Sequence, residues 1–246
     1  MSYQQYRPSG FSILPPVVKN LLIINGLFFL ATVSLSQFDL IEMLGLHPFE
    51  SELFKPYQLI THFFMHGGFM HIFSNMLALW MFGNALENYW GGKRFLIYYL
   101  FTGLGAAALH LGIIEFQIHS LMNQLSPENI QIVLQEGAGI LKGFQNYTDP
   151  QMAKLNMLLN TSTVGASGAV FGVLLAFGMM FPNTIIYVYF ALPIKAKYFV
   201  MLYGAFELYS GIQNNPSDNV AHFAHIGGMI FGYILLRYWR KNNHHI

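Results

Sequence analysis

Four polar side chains lie within otherwise apolar stretches of this sequence, and their types suit nucleophilic catalysis. They are Ser167, His225, His71 and Asn75. A serine hydroxyl within hydrogen-bond reach of a histidine is an activated nucleophile. Backbone N–H groups and side-chain donors can stabilise the oxyanion that forms when such a nucleophile attacks a carbonyl. The four residues therefore predict a serine nucleophile, a histidine base and an oxyanion site.

Ser167 begins a short apolar segment that we predict to be a helix at about 166–181. At the helical rise, Ser167 lies about 21 Å from the far end of that helix, inside a hydrocarbon layer about 30 Å thick. The free N–H groups of a helix N-terminus suit an oxyanion. The alternative is that these small residues, glycine and serine, form a helix-packing surface and have no catalytic role. The sequence does not match the nucleophile-elbow motif of soluble hydrolases, Gly-x-Ser-x-Gly, because Ala169 occupies the position of the last glycine.

His225 lies at a matching depth below the outer surface. The sixth predicted helix begins at that surface, about 8–9 Å before His225. His225, Gly228 and Gly232 share one helix face. Gly228 and Gly232 form a small-xxx-small pair, as do Gly168 and Gly172, and such pairs let helices approach closely. Close approach would bring His225 to Ser167. The alternative role for His225 is a polar hydrogen bond between helices.

His71 and Asn75 are four residues apart, on one face of the second predicted helix. Both side chains could donate hydrogen bonds to an oxyanion. The alternative is again that they join helices by hydrogen bonds.

A metal site is a further possibility, since several histidines lie near one another in the sequence. They are His62, His66, His71, His222 and His225. The sequence lacks His-Glu-x-x-His, and Glu207 is the sole carboxylate in the interior of a predicted span. We therefore predict no metal and no other cofactor. Glu207 could be a neutral hydrogen-bonded acid or line a polar cavity, and the sequence leaves both open.

The composition indicates a membrane protein. Apolar residues make up 54% of the 246 residues and charged residues only 9%, against about 25% charged in soluble domains. The 12 Lys and Arg nearly balance the 11 Asp and Glu, which leaves no basic surface for nucleic acid. With no cysteine, disulfides, thiolate catalysis and Cys-based metal sites are excluded.

Runs without charge predict an all-α membrane protein with six transmembrane helices. The predicted spans lie near residues 20–38, 68–88, 95–114, 166–181, 196–213 and 219–236. The fourth is short and starts at the proposed nucleophile. Because Lys and Arg concentrate on the side of the termini, both termini are expected in the cytoplasm.

The domain prediction follows from these spans. Residues 1–16 form a cytoplasmic N-terminal segment, residues 17–238 a six-helix domain, and residues 239–246 a cytoplasmic tail. Residues 115–164 form an insertion on the outer side, with helices starting after Ser126 and Asp149, each followed by proline.

The ordered motifs resemble those of the rhomboid family of intramembrane serine proteases. The resemblance covers about residues 17–238 and rests on three segments in order. They are His71-Ile72-Phe73-Ser74-Asn75, Gly165-Ala166-Ser167-Gly168, and Ala224-His225-Ile226-Gly227-Gly228 continuing to Gly232. One departure is Phe171, which occupies a position where many members of the family have tyrosine.

The resemblance implies a six-helix bundle that cleaves single-span membrane proteins within or next to their transmembrane segment. It implies a catalytic dyad of Ser167 and His225 with no acidic third member. The oxyanion would be stabilised by His71, Asn75 and the backbone N–H of Ser167. Supporting roles would fall to Gly165, Ala166, Gly168, Phe171, Gly228 and Gly232.

Two other functions remain open from the sequence. A rhomboid-like protein without protease activity could bind membrane helices, although both residues of the dyad are present here. A transporter would favour paired intramembrane charges or inverted repeats, and the sequence has neither. The expected partners are transmembrane substrates and the lipid bilayer, and the expected location is the inner membrane of a bacterium.

Overall fold

The structure, a computed structural model, describes residues 12–188, 191–213 and 220–242. The helices are α1 (Pro16–Ser34), α2 (Leu40–Leu44), α3 (Gln58–Thr61), α4 (Phe69–Ala78), α5 (Asn84–Trp90), α6 (Gly92–Met122), α7 (Pro127–Lys142), α8 (Pro150–Asn160), α9 (Ser167–Met180), α10 (Ala196–Gln213) and α11 (His222–Lys241). The strands β1 (Ile185–Val188) and β2 (Leu192–Lys195) pair antiparallel. Parts of the predicted N-terminal segment, sixth helix and tail fall on residues 1–11, 214–219 and 243–246, outside the described residues.

Helices occupy each of the six segments that the sequence predicts to cross a membrane. Within the described part of the chain, α1 and α6 are each long and apolar enough to cross by themselves. The apolar helix α9 is shorter, with 14 residues. The helical character is confirmed, and the number of membrane crossings stays a prediction.

Two predicted helices have different bounds in the structure. The second is α4 continued by a π-helical turn, Leu79–Gly83, and then by α5. The third, predicted as residues 95–114, extends to Met122 as α6. The charge of Glu115 ended the apolar run, but a helix can continue past a charge once it leaves the lipid.

A β-hairpin stands where the sequence predicted only a turn between two helices. Strand β1 contains Ile185, Ile186, Tyr187 and Val188, and β-branched and aromatic residues favour strands. Its first residue, Ile185, pairs with Lys195 at the end of β2. The all-α prediction is therefore wrong for this short segment.

The predicted insertion forms two helices that pack on the extended end of α6. The helix starts are confirmed: the Ser126 hydroxyl accepts from Asn129 N at 3.2 Å, and Asp149 accepts from Gln151 N at 2.8 Å. A separate apolar cluster joins them to α6. It contains Ile118, Leu121, Val133, Met152, Leu155 and Leu159. Since this cluster is distinct from the main core, the insertion is built around the end of α6.

Helix α9 lies at the centre of the main core. Ten of its 14 residues are buried, and it packs against α6, α10 and α11. A helix that is apolar on all sides is stable only when neighbours surround it. This arrangement gives Ser167, the first residue of α9, a rigid support.

Candidate active site

Ser167 and His225 are in hydrogen-bonding contact. Ser167 begins α9 and His225 lies in the first turn of α11. The Ser167 hydroxyl is 2.9 Å from His225 Nε2, within the 2.6–3.2 Å or so that proton transfer to a base requires. The geometry therefore suits a serine nucleophile with a histidine base.

A contact between glycines allows the two helices to come this close. A Cβ on Gly228 of α11 would overlap the carbonyl oxygen of Gly168 of α9. The other glycine of each predicted pair, Gly172 in α9 and Gly232 in α11, faces α6 instead. A Cβ on Gly172 would lie 2.6 Å from Thr102 Cβ, and one on Gly232 would overlap the Tyr98 hydroxyl. Helix α6 therefore completes a three-helix contact behind the site.

Phe171 lies flat against the His225 ring. Their ring centroids are 4.1 Å apart and the ring planes differ by 7°. Phe171 also contacts Tyr203 of α10, with centroids 4.9 Å apart. This stacking fits the supporting role that the family resemblance implied for Phe171.

The segment before Ser167 has a conformation that requires glycine. Gly165 has φ of 121°, and a Cβ there would lie 2.8 Å from His71 Nε2. Gly165 N donates to His62 O at 2.9 Å, and Ala166 is fully buried. The His71 side chain thus lies directly beside the backbone that leads into the nucleophile.

Asn75 is buried one turn along α4 from His71. Its Nδ2 donates to His71 O at 3.0 Å, and an amide has a second N–H. The His71 side chain therefore lies beside the backbone that leads into α9, and Asn75 is one helical turn further along α4. Their role at an oxyanion stays a prediction.

Glu207 of α10 lies on the opposite side of the His225 ring from Ser167. Its Oε2 is 2.8 Å from His225 Nδ1 and 2.6 Å from His222 Nδ1. The structure thus places a carboxylate beside a dyad for which the family resemblance implied no acidic third member. Of the two interpretations of Glu207, the hydrogen bonding of the first is confirmed, while the neutral state that it assumed stays a prediction. The second, a polar cavity lining, does not fit a residue that is 3% exposed.

A comparison with protein families identifies the domain that carries this site. The family model described as Rhomboid domain matches residues 53–242, which include every candidate residue named above. The chain belongs to the rhomboid family. Together with its apolar helices, this membership makes the chain a membrane protein and confirms the resemblance seen in the sequence.

Three curated rhomboid relatives resemble the chain to different extents. RHOMBOID-like protein 12, mitochondrial, of Arabidopsis thaliana is 30% identical over 86% of this chain and 55% of its own length. RHOMBOID-like protein 1 of the same plant is 28% identical over 73% of this chain and 33% of its own. Rhomboid protease GluP of Bacillus subtilis is 42% identical over 20% of this chain and 10% of its own. The chain thus spans about half or less of the length of these rhomboid relatives.

Two groups of side chains in the described part of the rhomboid chain place three possible metal ligands within 4.8 Å of one another. They are Glu207 with His222 and His225, and Glu50 with Glu115 and His119. In the first group the 2.6 and 2.8 Å separations are those of hydrogen bonds. Ligand atoms around a tetrahedral zinc lie more than about 3 Å apart. The first group therefore does not have the spacing of a zinc site.

The further histidines considered as metal ligands have other contacts. His62 Nδ1 is 2.7 Å from Gln58 O, and the His66 ring packs edge-on against that of His71, with centroids 5.0 Å apart. Sequence reasoning did not predict the contact between Glu207 and His225. The available signal was a carboxylate isolated within an apolar helix.

Proposed function

We propose that this rhomboid protein is an intramembrane serine endopeptidase that cleaves single-span membrane proteins within or next to their transmembrane segment. The observation that carries the proposal is the 2.9 Å contact between Ser167 Oγ and His225 Nε2, at the start of a buried apolar helix. The Bacillus subtilis relative, a rhomboid protease by name, supports a protease as well.

Acylation would follow from this contact. Ser167 Oγ attacks the carbonyl carbon of the substrate peptide bond, and its proton moves to His225 Nε2. The C–N bond then breaks, and the leaving amine takes that proton from the imidazolium. Water hydrolyses the resulting ester by the same route, with His225 accepting a proton from the water and returning it to Ser167 Oγ. Peptide plus water gives an acid and an amine, so atoms and charges balance.

The oxyanion of each tetrahedral intermediate would be stabilised by donors from two helices. These are the backbone N–H of Ser167 and the side chains of His71 and Asn75. Preorganised donors of this kind act strongly where water is excluded. Gly165 supports the arrangement, because a Cβ there would lie 2.8 Å from His71 Nε2.

The membrane arrangement is part of the proposal. Six helical segments cross the bilayer with both termini in the cytoplasm, and the 14 residues of α9 span about 21 Å. Ser167 then lies below the outer surface. We propose a bacterial inner membrane as its location; the relatives include a mitochondrial plant protein and a Bacillus subtilis protein.

The test is cleavage of a single-span substrate by purified protein in detergent. We expect wild type to cut it, and Ser167→Ala to leave it intact because the nucleophilic oxygen is missing. Ser36→Ala is the matched control, since Ser36 is exposed in the turn after α1. Substrate that binds but is never cut by wild type would contradict the proposal and favour a helix-binding protein.

A further inference from the structure

Glu207 is a buried carboxylate that is hydrogen-bonded to two imidazoles. It lies on α10 and is 3% exposed. A single oxygen, Oε2, is 2.8 Å from His225 Nδ1 and 2.6 Å from His222 Nδ1. An isolated buried charge is unfavourable, and hydrogen bonds to the charged form offset that cost. Contact of one oxygen with two imidazole nitrogens suits an ionised carboxylate that accepts from both.

We propose that Glu207 is a positioning residue of the serine centre, which holds His225 in the tautomer and orientation needed by the base. This inference rests on the proposed protease function. Ser167, His225 and Glu207 then act as a continuous chain of hydrogen bonds across three helices, α9, α11 and α10. The catalytic unit is larger than a serine–histidine pair.

The tautomer follows from the chemistry of the partners. A neutral imidazole has one N–H donor and one acceptor nitrogen, and an ionised carboxylate can only accept. The proton of His225 is thus on Nδ1, donated to Glu207, and its bare Nε2 faces the Ser167 hydroxyl at 2.9 Å. When Nε2 takes the serine proton, the negative carboxylate stabilises the imidazolium that forms.

The orientation of the His225 ring is fixed from two directions. Glu207 holds its Nδ1 edge, and Phe171 covers its face with ring planes 7° apart. His222 binds the same carboxylate oxygen and keeps it in place. These contacts leave the ring little freedom to turn its Nε2 away from Ser167.

A purely structural role for Glu207 is the competing explanation, because its hydrogen bonds also join α10 to α11. Glu87 offers a matched comparison. It is equally buried, at 3% exposed, and its carboxylate oxygens accept from Val17 N and Val18 N at 2.9 and 2.7 Å. Glu87 therefore holds α1 in place, without any contact with the proposed site.

The experiment compares Glu207→Gln with Glu87→Gln in purified full-length protein. For each we would measure kcat and KM on a single-span substrate, the rate of fluorophosphonate labelling, and Tm. We expect Glu207→Gln to lower kcat and labelling by about 10²-fold or more, by analogy with the loss of the acid in serine protease triads. KM should change little, since Glu207 does not touch substrate. Glu87→Gln should lower Tm but keep kcat.

Each outcome decides between the explanations. An unchanged kcat in Glu207→Gln, or equal losses of kcat in the two variants, overturns the positioning role. If Glu207→Gln does not fold, Glu207→Asp replaces it. Its shorter side chain withdraws the carboxylate from His225 Nδ1, so kcat should fall while KM stays unchanged. A kcat equal to that of wild type would overturn the inference. A wild type that neither cleaves nor labels overturns the proposed function itself, which distinguishes the two failures.

Discussion

Gly228 lies against the carbonyl of Gly168, so that the backbones of α11 and α9 touch one residue beyond the nucleophile. His225 is three residues before Gly228, on the same helix face. The contact of the two glycines therefore sets the separation between His225 and Ser167. Any side chain at this point has to push the helices apart.

Gly228→Ala should consequently lower activity by displacing His225. Misplacement of a reacting group by about 1 Å can cost about 10² in rate, and we expect a fall of that order in fluorophosphonate labelling. Gly112→Ala is the control, because a Cβ at Gly112 meets nothing within 4 Å, and it should label like wild type. Wild-type labelling of Gly228→Ala would show that the glycine contact does not set the geometry.

The two histidines at the start of α11 should differ in their effects. His225→Ala removes the base and should reduce cleavage to the level of Ser167→Ala. His222→Ala removes one of the two hydrogen bonds to Glu207 but leaves the contacts of His225 with Glu207 and Ser167 in place. We expect it to keep cleavage within about tenfold of wild type. Cleavage assays on both variants check this, and the reverse order would contradict the assignment of His225 as base.

Asn75→Ala should be less damaging than Ser167→Ala. Loss of one oxyanion donor typically costs about 10²–10³ in kcat, and His71 and the Ser167 N–H would remain. Because Asn75 also donates to His71 O, Tm should be measured alongside kcat. Equal inactivity of the two variants, with Tm unchanged, would argue against a shared oxyanion site.

Much of the site could be predicted from the sequence because depth and helical spacing constrain it. The rise of a helix placed Ser167 and His225 at one level, and the spacing of Gly228 put that glycine on the face of His225. The partner of Glu207 could not be predicted, since no spacing rule relates a residue on α10 to one on α11. The hairpin of Ile185–Val188 was missed because a short apolar run fits a turn or a strand equally well.

The arrangement in the membrane can be checked with reporter fusions. Fusions after Pro16 and after Lys241 should report the cytoplasm. An insertion after Phe144, a fully exposed residue that follows α7, should report the outer side. A C-terminal reporter found outside would contradict the six crossings and the depth assigned to Ser167.

The central claim is that His225 activates Ser167, and mapping of a covalent adduct tests it most directly. Purified wild type, Ser167→Ala and His225→Ala would be treated with a fluorophosphonate, which reacts with activated serines, and the modified peptides identified by mass spectrometry. We predict one phosphonylated residue in wild type, Ser167, and no adduct in either variant. An adduct on a different serine, or a wild type that remains unmodified, would contradict the account.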